Sequence, residues 1–400
     1  MGMSNEIKDV LIIGAGAYGL KTAVWALRYG LTVGILEKNE QAGKKILISG
    51  GGRCNYTNLH THPDAFISDN PRFVKQLLSA WSVQDTLDFF AEYGIHPKEK
   101  TLGQLFPEQG NAKTFRDGML SEILARKGEI EYQIRIKEII KEGEIFIVTT
   151  STGETYKGHK LVIATGGKAI PAMGASDWGM LQAKSWGMEI ISDAPALVPL
   201  VAEGENLLYN QALAGLSTSV ALSVGKIRFV ENILFTHKGW SGPAVLQISS
   251  YWDSGQMIQI DYLPEEKNME SLWAKDQVPF NILKGWIPSR LLETWVQTQP
   301  WLIKKSQEIS NKEKQLTEKY LKQGQLLPSG TLGYEKAEVM KGGVDTRELI
   351  PQTLESRKMP GTYWGGEVCD VTGWLGGYNF QWAWVSAFVT ARAIYSSLKG

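Results

Sequence analysis

Three glycines, Gly14, Gly16 and Gly19, close the run Val10-Leu11-Ile12-Ile13-Gly14-Ala15-Gly16-Ala17-Tyr18-Gly19, and the acid Glu37 follows one helix length later. This spacing can bind a dinucleotide. The first glycine permits a tight turn, the second lets backbone approach a pyrophosphate, and the third lets a helix pack closely on a strand. A helix starting at such a turn, next to Ala15, offers free N–H groups and a positive dipole end to phosphates. Glu37, with Lys38 beside it, ends the second strand, where a carboxylate can accept hydrogen bonds from a ribose. The turn alone does not distinguish NAD from FAD.

A second segment, Lys44 to Asn58, joins Lys44, Lys45 and Arg53 to Gly50-Gly51-Gly52. Its positive charge and bare backbone suit an anion, and Ser49, Asn55, Thr57 and Asn58 add short polar side chains. Two further glycine clusters follow apolar or strand-like sequence: Thr165-Gly166-Gly167, and Gly365 to Gly377. Parallel sheets bind ligands at the carboxyl ends of their strands. Three such ends converging suit one long ligand lying across the sheet edge. FAD fits this better than NAD, because its isoalloxazine must be held as firmly as its adenine.

Single residues carry less. Cys54 lies in the glycine-rich loop and is a candidate proton donor or redox thiol; a small buried packing residue is the plainer reading. His237, in Phe-Thr-His-Lys-Gly-Trp-Ser-Gly-Pro, is a candidate substrate-side acid, set against a structural hydrogen-bonding role. No His, Cys and carboxylate cluster has metal-ligand spacing, so no metal is expected. Lys304, Lys305, Lys312, Lys314, Lys319 and Lys322 outnumber the acids around them and can meet RNA phosphates or form a solvated helix face.

The elements that position these residues follow from pattern. Residues 8–37 read as strand, helix, strand in a right-handed crossover. One helix is expected from Pro71 to a C-cap at Gly94, and another over 112–127. Residues 144–150 and 160–164 read as strands, the second running straight into glycines. From about 195 to 340 short β segments and then charged helical sequence intervene, so the two chain ends form one α/β domain. The 400 residues can bury a large core. Lys plus Arg and Asp plus Glu are both 42, so no global basic field argues for nucleic acid. Two cysteines cannot form a disulfide framework, which fits a reducing cytoplasm. No signal peptide and no membrane span is expected. Most of the 14 tryptophans should pack in cores, although Trp240, Trp364, Trp374, Trp382 and Trp384 offer faces to stack on.

The segments Gly14 to Gly19, Gly43-Lys-Lys-Ile-Leu-Ile-Ser-Gly-Gly-Gly-Arg-Cys-Asn-Tyr-Thr-Asn, Ala164-Thr-Gly-Gly, Phe235-Thr-His-Lys-Gly-Trp-Ser-Gly-Pro and Gly366-Glu-Val-Cys-Asp through Gly376-Gly-Tyr-Asn resemble the BaiN/RdsA family of FAD-dependent oxidoreductases. Within it they resemble the branch that forms dihydrouridine in large-subunit ribosomal RNA. The resemblance covers residues 8 to about 390. It implies an α/β fold: a glutathione-reductase-like FAD-binding Rossmann domain (1–193 and 341–400), an inserted β-barrel (194–264 and 324–340) and a small helical domain (265–323). It implies that Gly14, Ala15, Gly16 and Gly19 face the pyrophosphate, and Glu37 and Lys38 the adenine ribose. Lys45, Ser49, Gly50, Gly51, Arg53 and Asn55 would line the cofactor, and backbone near Ile139 would meet adenine. Thr165 and Gly166 would close over it, and Glu367 and Asp370 would serve the ribityl chain. Gly376, Gly377, Tyr378 and Asn379 would bring a helix N-terminus to the pyrimidine edge of the flavin, where reduction places negative charge.

The activity implied is reduction of a conjugated C=C bond, hydride going to the carbon β to a carbonyl (C6 of uracil) and a proton to its neighbour. NADPH or NADH would be a transient electron donor, since no second dinucleotide fingerprint is present. Two other readings remain open: oxidation or reduction of a small amine, ketone or enone, and an FAD-containing RNA-binding or assembly factor without turnover. The chain departs from the family pattern at Tyr18 and Cys369, where small and aliphatic residues are usual, and at Ala387-Phe388-Val389.

Overall fold

Lys8–Ile13 (β1) is a strand buried on both faces: Val10, Leu11 and Ile12 have no exposed surface, the environment that an apolar, alternation-free run requires. The computed structural model of the chain describes residues 6–265 and 267–400. It divides into two compact units, one running to Ala194 and resuming at Val339–Gly400, the other Pro195–Glu338.

In the first unit β1 leads through helix α1 (Ala17–Arg28) to β2 (Val33–Leu36), and the kinked helix α2 (Lys44–Gly52) follows. The remaining strands of the main sheet are β3 (Glu129–Glu131), β4 (Ile136–Glu142), β5 (Ile145–Thr150), β6 (Thr155–Ile163) and β7 (Thr362–Trp364). Their order is β3-β2-β1-β6-β5-β4, with β7 also paired to β6. β1, β2, β3, β6 and β7 pair in parallel, while β4 and β5 form an antiparallel meander. The register aligns the carboxyl ends: Ile13 lies beside Leu36 and Ile163, Leu36 beside Glu131, and Ile163 beside Trp364. Five parallel strands therefore stop in one row, and the glycine clusters begin where they stop.

The last helix, α3 (Tyr378–Lys399), packs on α1 through an aromatic cluster in which Phe388 meets Trp25 and Trp81 with centroids 5.2 and 4.6 Å apart. Lys21 of α1 is wholly buried there. Its amine lies 3.7 Å from the centre of the Trp81 ring and makes no hydrogen bond; burial holds its pKa well below the ordinary lysine value. The helix expected from Pro71 to Gly94 is in fact two, Pro71–Leu78 and Val83–Ala91. Ser82 ends the first run by capping the second: its hydroxyl accepts from Asp85 N and the Asp85 carboxylate accepts from Ser82 N, a capping box that outweighs the continuous apolar periodicity.

The second unit holds a seven-stranded antiparallel sheet, ordered Gly324–Leu326, Ile258–Asp261, Ser217–Val224, Ile227–Thr236, Gly239–Ser241, Leu200–Val201, Gly330–Thr331. The helices Pro279–Leu283, Ser289–Thr298 and Asn311–Gln323 lie between residues 265 and 323, where Trp295 packs edge-on to Tyr262 and Tyr320. No helix among the described residues is long and apolar enough to cross a membrane. Trp240, Trp364, Trp382 and Trp384 are all core residues.

Candidate functional site

The turn after β1 is shaped by its own glycines. Gly14 has φ 106°, and a Cβ there would collide with the carbonyl oxygen of Ala164. A Cβ on Gly19 would collide with the carbonyl oxygen of Gly14. Gly16 is different: nothing lies within 4 Å of where its Cβ would be, so its backbone is open to a ligand. Glu37, 6% exposed, reaches back from the end of β2, and its carboxylate accepts from Ala15 N at 2.7 Å and from Asn39 N and Nδ2 at 2.8 and 2.7 Å. Lys38 is exposed and donates to Ser176 Oγ at 3.0 Å. The backbone beside Glu37 is that of Glu131 and Ile134. Ile139 is elsewhere, on β4 at the opposite edge of the sheet.

The Gly43–Asn58 segment docks on this turn through Gly43 N, which donates to Ala15 O at 2.8 Å. The helical backbone of α2 breaks at Ser49, which is extended, and Gly50 and Gly51 are left-handed at φ 55° and 66°. A side chain at Gly50 would meet the Phe106 ring, whereas Gly51 faces open space. Ser49 Oγ donates to Ile46 O (2.6 Å), and Lys45 Nζ pairs with Glu367 Oε2 at 2.6 Å. Arg53 is exposed, its guanidinium 5.4 Å from the centre of the Phe106 ring. Cys54 has no exposed surface, and burial pushes its thiol up to about 12. A thiol so enclosed and protonated is a poor nucleophile or redox group.

Beyond β6, Thr165 Oγ1 is buried without a hydrogen-bond partner, and Gly166 is left-handed at φ 68°. Beyond β7, Glu367 Oε1 accepts from Met340 N at 3.2 Å. Asp370 is 4% exposed; burial raises its pKa, and Asp69 N donates to it at 2.8 Å. Gly376 and Gly377, at φ 114° and 100°, turn the chain into α3, whose N-terminus has no side-chain cap. Asn379 fastens this turn, exchanging hydrogen bonds with Gly373 N and O at 2.8 Å each.

Sequence reasoning did not foresee what joins these segments. Asn58 Nδ2 donates to the carbonyls of Gly376 (2.9 Å) and Leu102 (3.1 Å), and Thr57 Oγ1 donates to Gln381 Oε1 at 2.8 Å. Gln381 is a buried amide in the first turn of a largely apolar helix, and that incongruity was its signal. Tyr18 points away from the phosphate end: its hydroxyl lies 2.9 Å from Thr390 Oγ1 on α3, and its ring covers Gly365 and Gly366, where a Cβ would touch it. The row of strand ends thus gathers Gly14 to Gly19, Glu37, Lys45, Thr165, Gly166 and Glu367, and Asn55 with Gly376 to Asn379 forms a cluster tied to the same glycine-rich loop. His237 is in the second unit, exposed on the turn between Ile227–Thr236 and Gly239–Ser241. The open backbone at Gly16 and Gly51, the orphaned Thr165 hydroxyl and the uncapped α3 N-terminus are what a pyrophosphate-linked flavin requires, so the residues fit FAD. Among the described residues no group of three metal-binding side chains occurs.

Residues 8–393 match the model of the HI0933-like protein Rossmann domain. The chain is 40% identical over 396 residues to a ribosomal RNA dihydrouridine synthase of Escherichia coli K12, covering 97% of this chain and 98% of that protein. It is 37% identical to a protein of the same name from Haemophilus influenzae, covering 98% and 99%. A 3-dehydro-bile acid delta(4,6)-reductase of Clostridium scindens is 31% identical, covering 96% and 98%. Among solved structures, a 3-ketosteroid delta1-dehydrogenase from Sterolibacterium denitrificans superposes with TM-score 0.52 at 13% identity, over 98% of this chain and 100% of that one. This last likeness is one of fold.

Proposed function

This chain belongs to the HI0933-like Rossmann family and is an FAD-dependent oxidoreductase; from that premise we propose that it reduces uridine to dihydrouridine in large-subunit ribosomal RNA, with NADPH or NADH as electron donor. The geometric observation that carries the redox reading is the single row of five strand ends. The near full-length identity to two ribosomal RNA dihydrouridine synthases, higher than to the bile-acid reductase, favours uridine over a steroid-like enone. Both substrates present a C=C bond conjugated to a carbonyl, so one site chemistry serves either.

Bound FAD supplies the two-electron chemistry. The protein's part is orientation and charge. Gly14, Ala15 and Gly19 shape the turn, the N–H groups of Gly14 and Ala15 being taken by Leu36 O and Glu37; Gly16, with no atom near its Cβ position at the start of α1, faces the pyrophosphate, and Glu37 and Lys38 serve the adenosine end. Lys45, Ser49, Gly50, Gly51 and Asn55 line the middle with Thr165, Gly166, Glu367 and Asp370, and exposed Arg53 stands at its rim against Phe106. The α3 N-terminus, at Gly376 to Asn379, places its positive dipole end against the charge that develops on reduction. The backbone near Glu131 and Ile134, in place of Ile139, flanks the adenine side. The protein works in the cytoplasm, where its RNA is.

Two measurements test this. Anaerobic NADPH should bleach the yellow flavin; persistence of the colour would mean a binding factor without turnover. Large-subunit ribosomal RNA from a gene-deletion strain should lose dihydrouridine by mass spectrometry, and an unchanged level would return the protein to the small-enone reading.

A further inference from the structure

A short three-stranded sheet flanks the glycine-rich loop: Thr57–Asn58, Gln104–Pro107 and Pro97–Glu99. Its register sets Lys98 directly across from Phe106, and Gln104 across from Asn58. Cross-strand partners share a face, and side chains two residues apart on a strand return to the same face. Lys98, Lys100, Phe106, Gln104 and Asn58 therefore belong to one face, while Glu99 registers with Leu105 on the other.

That face adjoins the carboxyl-terminal part of the cofactor cluster. Asn58 holds the Gly376 carbonyl, and a Cβ on Gly376 would lie 3.1 Å from the Gln104 side chain. A Cβ on Gly50 would lie 2.8 Å from the Phe106 ring. Lys100 Nζ is 4.1 Å and Arg53 Cζ 5.4 Å from the centre of that same ring. Arg53 and Lys98 are exposed and Lys100 is half-buried. None of the three forms an ion pair among the described residues. Burial, and then the like charges of Arg53 and Lys98, push the Lys100 amine below its ordinary range. Cations gathered against one another without carboxylates are electrostatically costly unless an anion joins them. In a chain of zero net charge, this is a built concentration of positive charge.

We propose that Arg53, Lys98 and Lys100, arrayed around Phe106, form a phosphate-binding subsite that holds the RNA strand beside the flavin end of the cofactor site. The inference rests on the ribosomal RNA reading above. Separate cations spaced about 7 Å apart along an extended strand suit successive phosphates of a polynucleotide better than the single 2′-phosphate of a nicotinamide donor. Phe106 holds Arg53 and Lys100 at the rim by cation–π contact.

The test measures binding of a labelled oligouridylate to the flavin-loaded protein across a range of salt. Replacing both lysines (K98Q with K100Q) should lower the slope of log Kd against log salt by about 1.4, at roughly 0.7 per single-strand phosphate contact. K98R with K100R should restore it. Flavin absorbance and Tm report that each variant is folded. Equal slopes in the wild type and the Gln variant, or no oligouridylate binding by the wild type, overturn the subsite. A rise in KM for NADPH relative to NADH with RNA binding intact also overturns it, assigning the cations to the nicotinamide donor. Dihydrouridine formation by the wild type is scored separately. The subsite can fail while the activity stands, and a changed slope supports the subsite even if the product is not dihydrouridine.

Discussion

The glycines at the two ends of the chain answer to different neighbours. Between residues 14 and 19 two of three are demanded by backbone atoms, Gly14 by those of Ala164 on the neighbouring strand's end and Gly19 by those of Gly14 itself, while Gly16 faces nothing within 4 Å. Between 365 and 377 the constraints come from the far end of the sequence: Tyr18 against Gly365 and Gly366, Thr57 against Gly377, and Asn58 on the Gly376 carbonyl across 318 positions. The first segment is shaped mainly by backbone and leaves Gly16 open to a ligand. The second is fastened by side chains, locally by Asn379 on Gly373 and from across the chain by Tyr18 and Asn58.

The sharpest way to break this contrast is within the first turn. Gly19→Ala drives a methyl into the Gly14 carbonyl and should cost on the order of 3 kcal/mol, lowering Tm and flavin content together. Gly16→Val sets its Cβ where no protein atom lies within 4 Å, so the flavin-free protein should melt close to the wild type, yet hold no FAD. Full flavin occupancy in Gly16→Val, read by absorbance, would remove that residue from the cofactor site. In the second segment Asn58→Ala leaves the carbonyls of Gly376 and Leu102 without their donor. A loss of about 1–3 kcal/mol is expected, with FAD affinity falling as the α3 turn loosens; a destabilised protein with unchanged affinity would uncouple that turn from the cofactor. Glu367→Gln should change stability by less than about 1 kcal/mol, because the Lys45 pair is partly exposed; its effect should appear in FAD dissociation, measured by fluorescence.

A pH-dependent effect concerns the support of α1. Arg28 at its end binds Glu122, which also accepts from Tyr93 and Arg126. Burial alone would raise Glu122; those hydrogen bonds outweigh it and hold its pKa at about 2, against 4.5 ordinarily. A depressed carboxylate stabilises the fold above its unfolded pKa. The Tm advantage of the wild type over Glu122→Gln should therefore be full at pH 7 and vanish as pH falls from about 4.5 to about 2. An advantage that persists at pH 2 would contradict this linkage.

Much of the site was legible because its signals are short-range. Gly14 to Glu37 lies within one crossover unit, so spacing alone carried it, and residues 160–167 announced a buried strand ending in glycines. β7 was legible only as strand-like sequence before Gly365: three residues give no periodicity, and its place in the sheet comes from pairing with β6, two hundred residues earlier in the chain. Ile139 lies at the edge of the sheet opposite the strand beside Glu37, and nothing in 136–142 tells which edge its strand will occupy. The helix break at Ser82 was readable in principle, as Ser-x-x-Asp is a local cap, but the apolar repeat across it hid the signal.

By itself the sequence determined the nucleotide-binding turn, the acid at the end of the second strand, the α/β class and the family to which the chain belongs. These rest on local stereochemistry and on strings of residues compared directly. Only the tertiary structure decided that five strand ends share one row, that Tyr18 packs under α3, that Lys21 is buried among aromatic rings, and that three cations without ion-pair partners among the described residues gather around Phe106 beside Gly376. Each depends on register and on contacts across long stretches of chain, where many arrangements satisfy the local rules and packing density selects one.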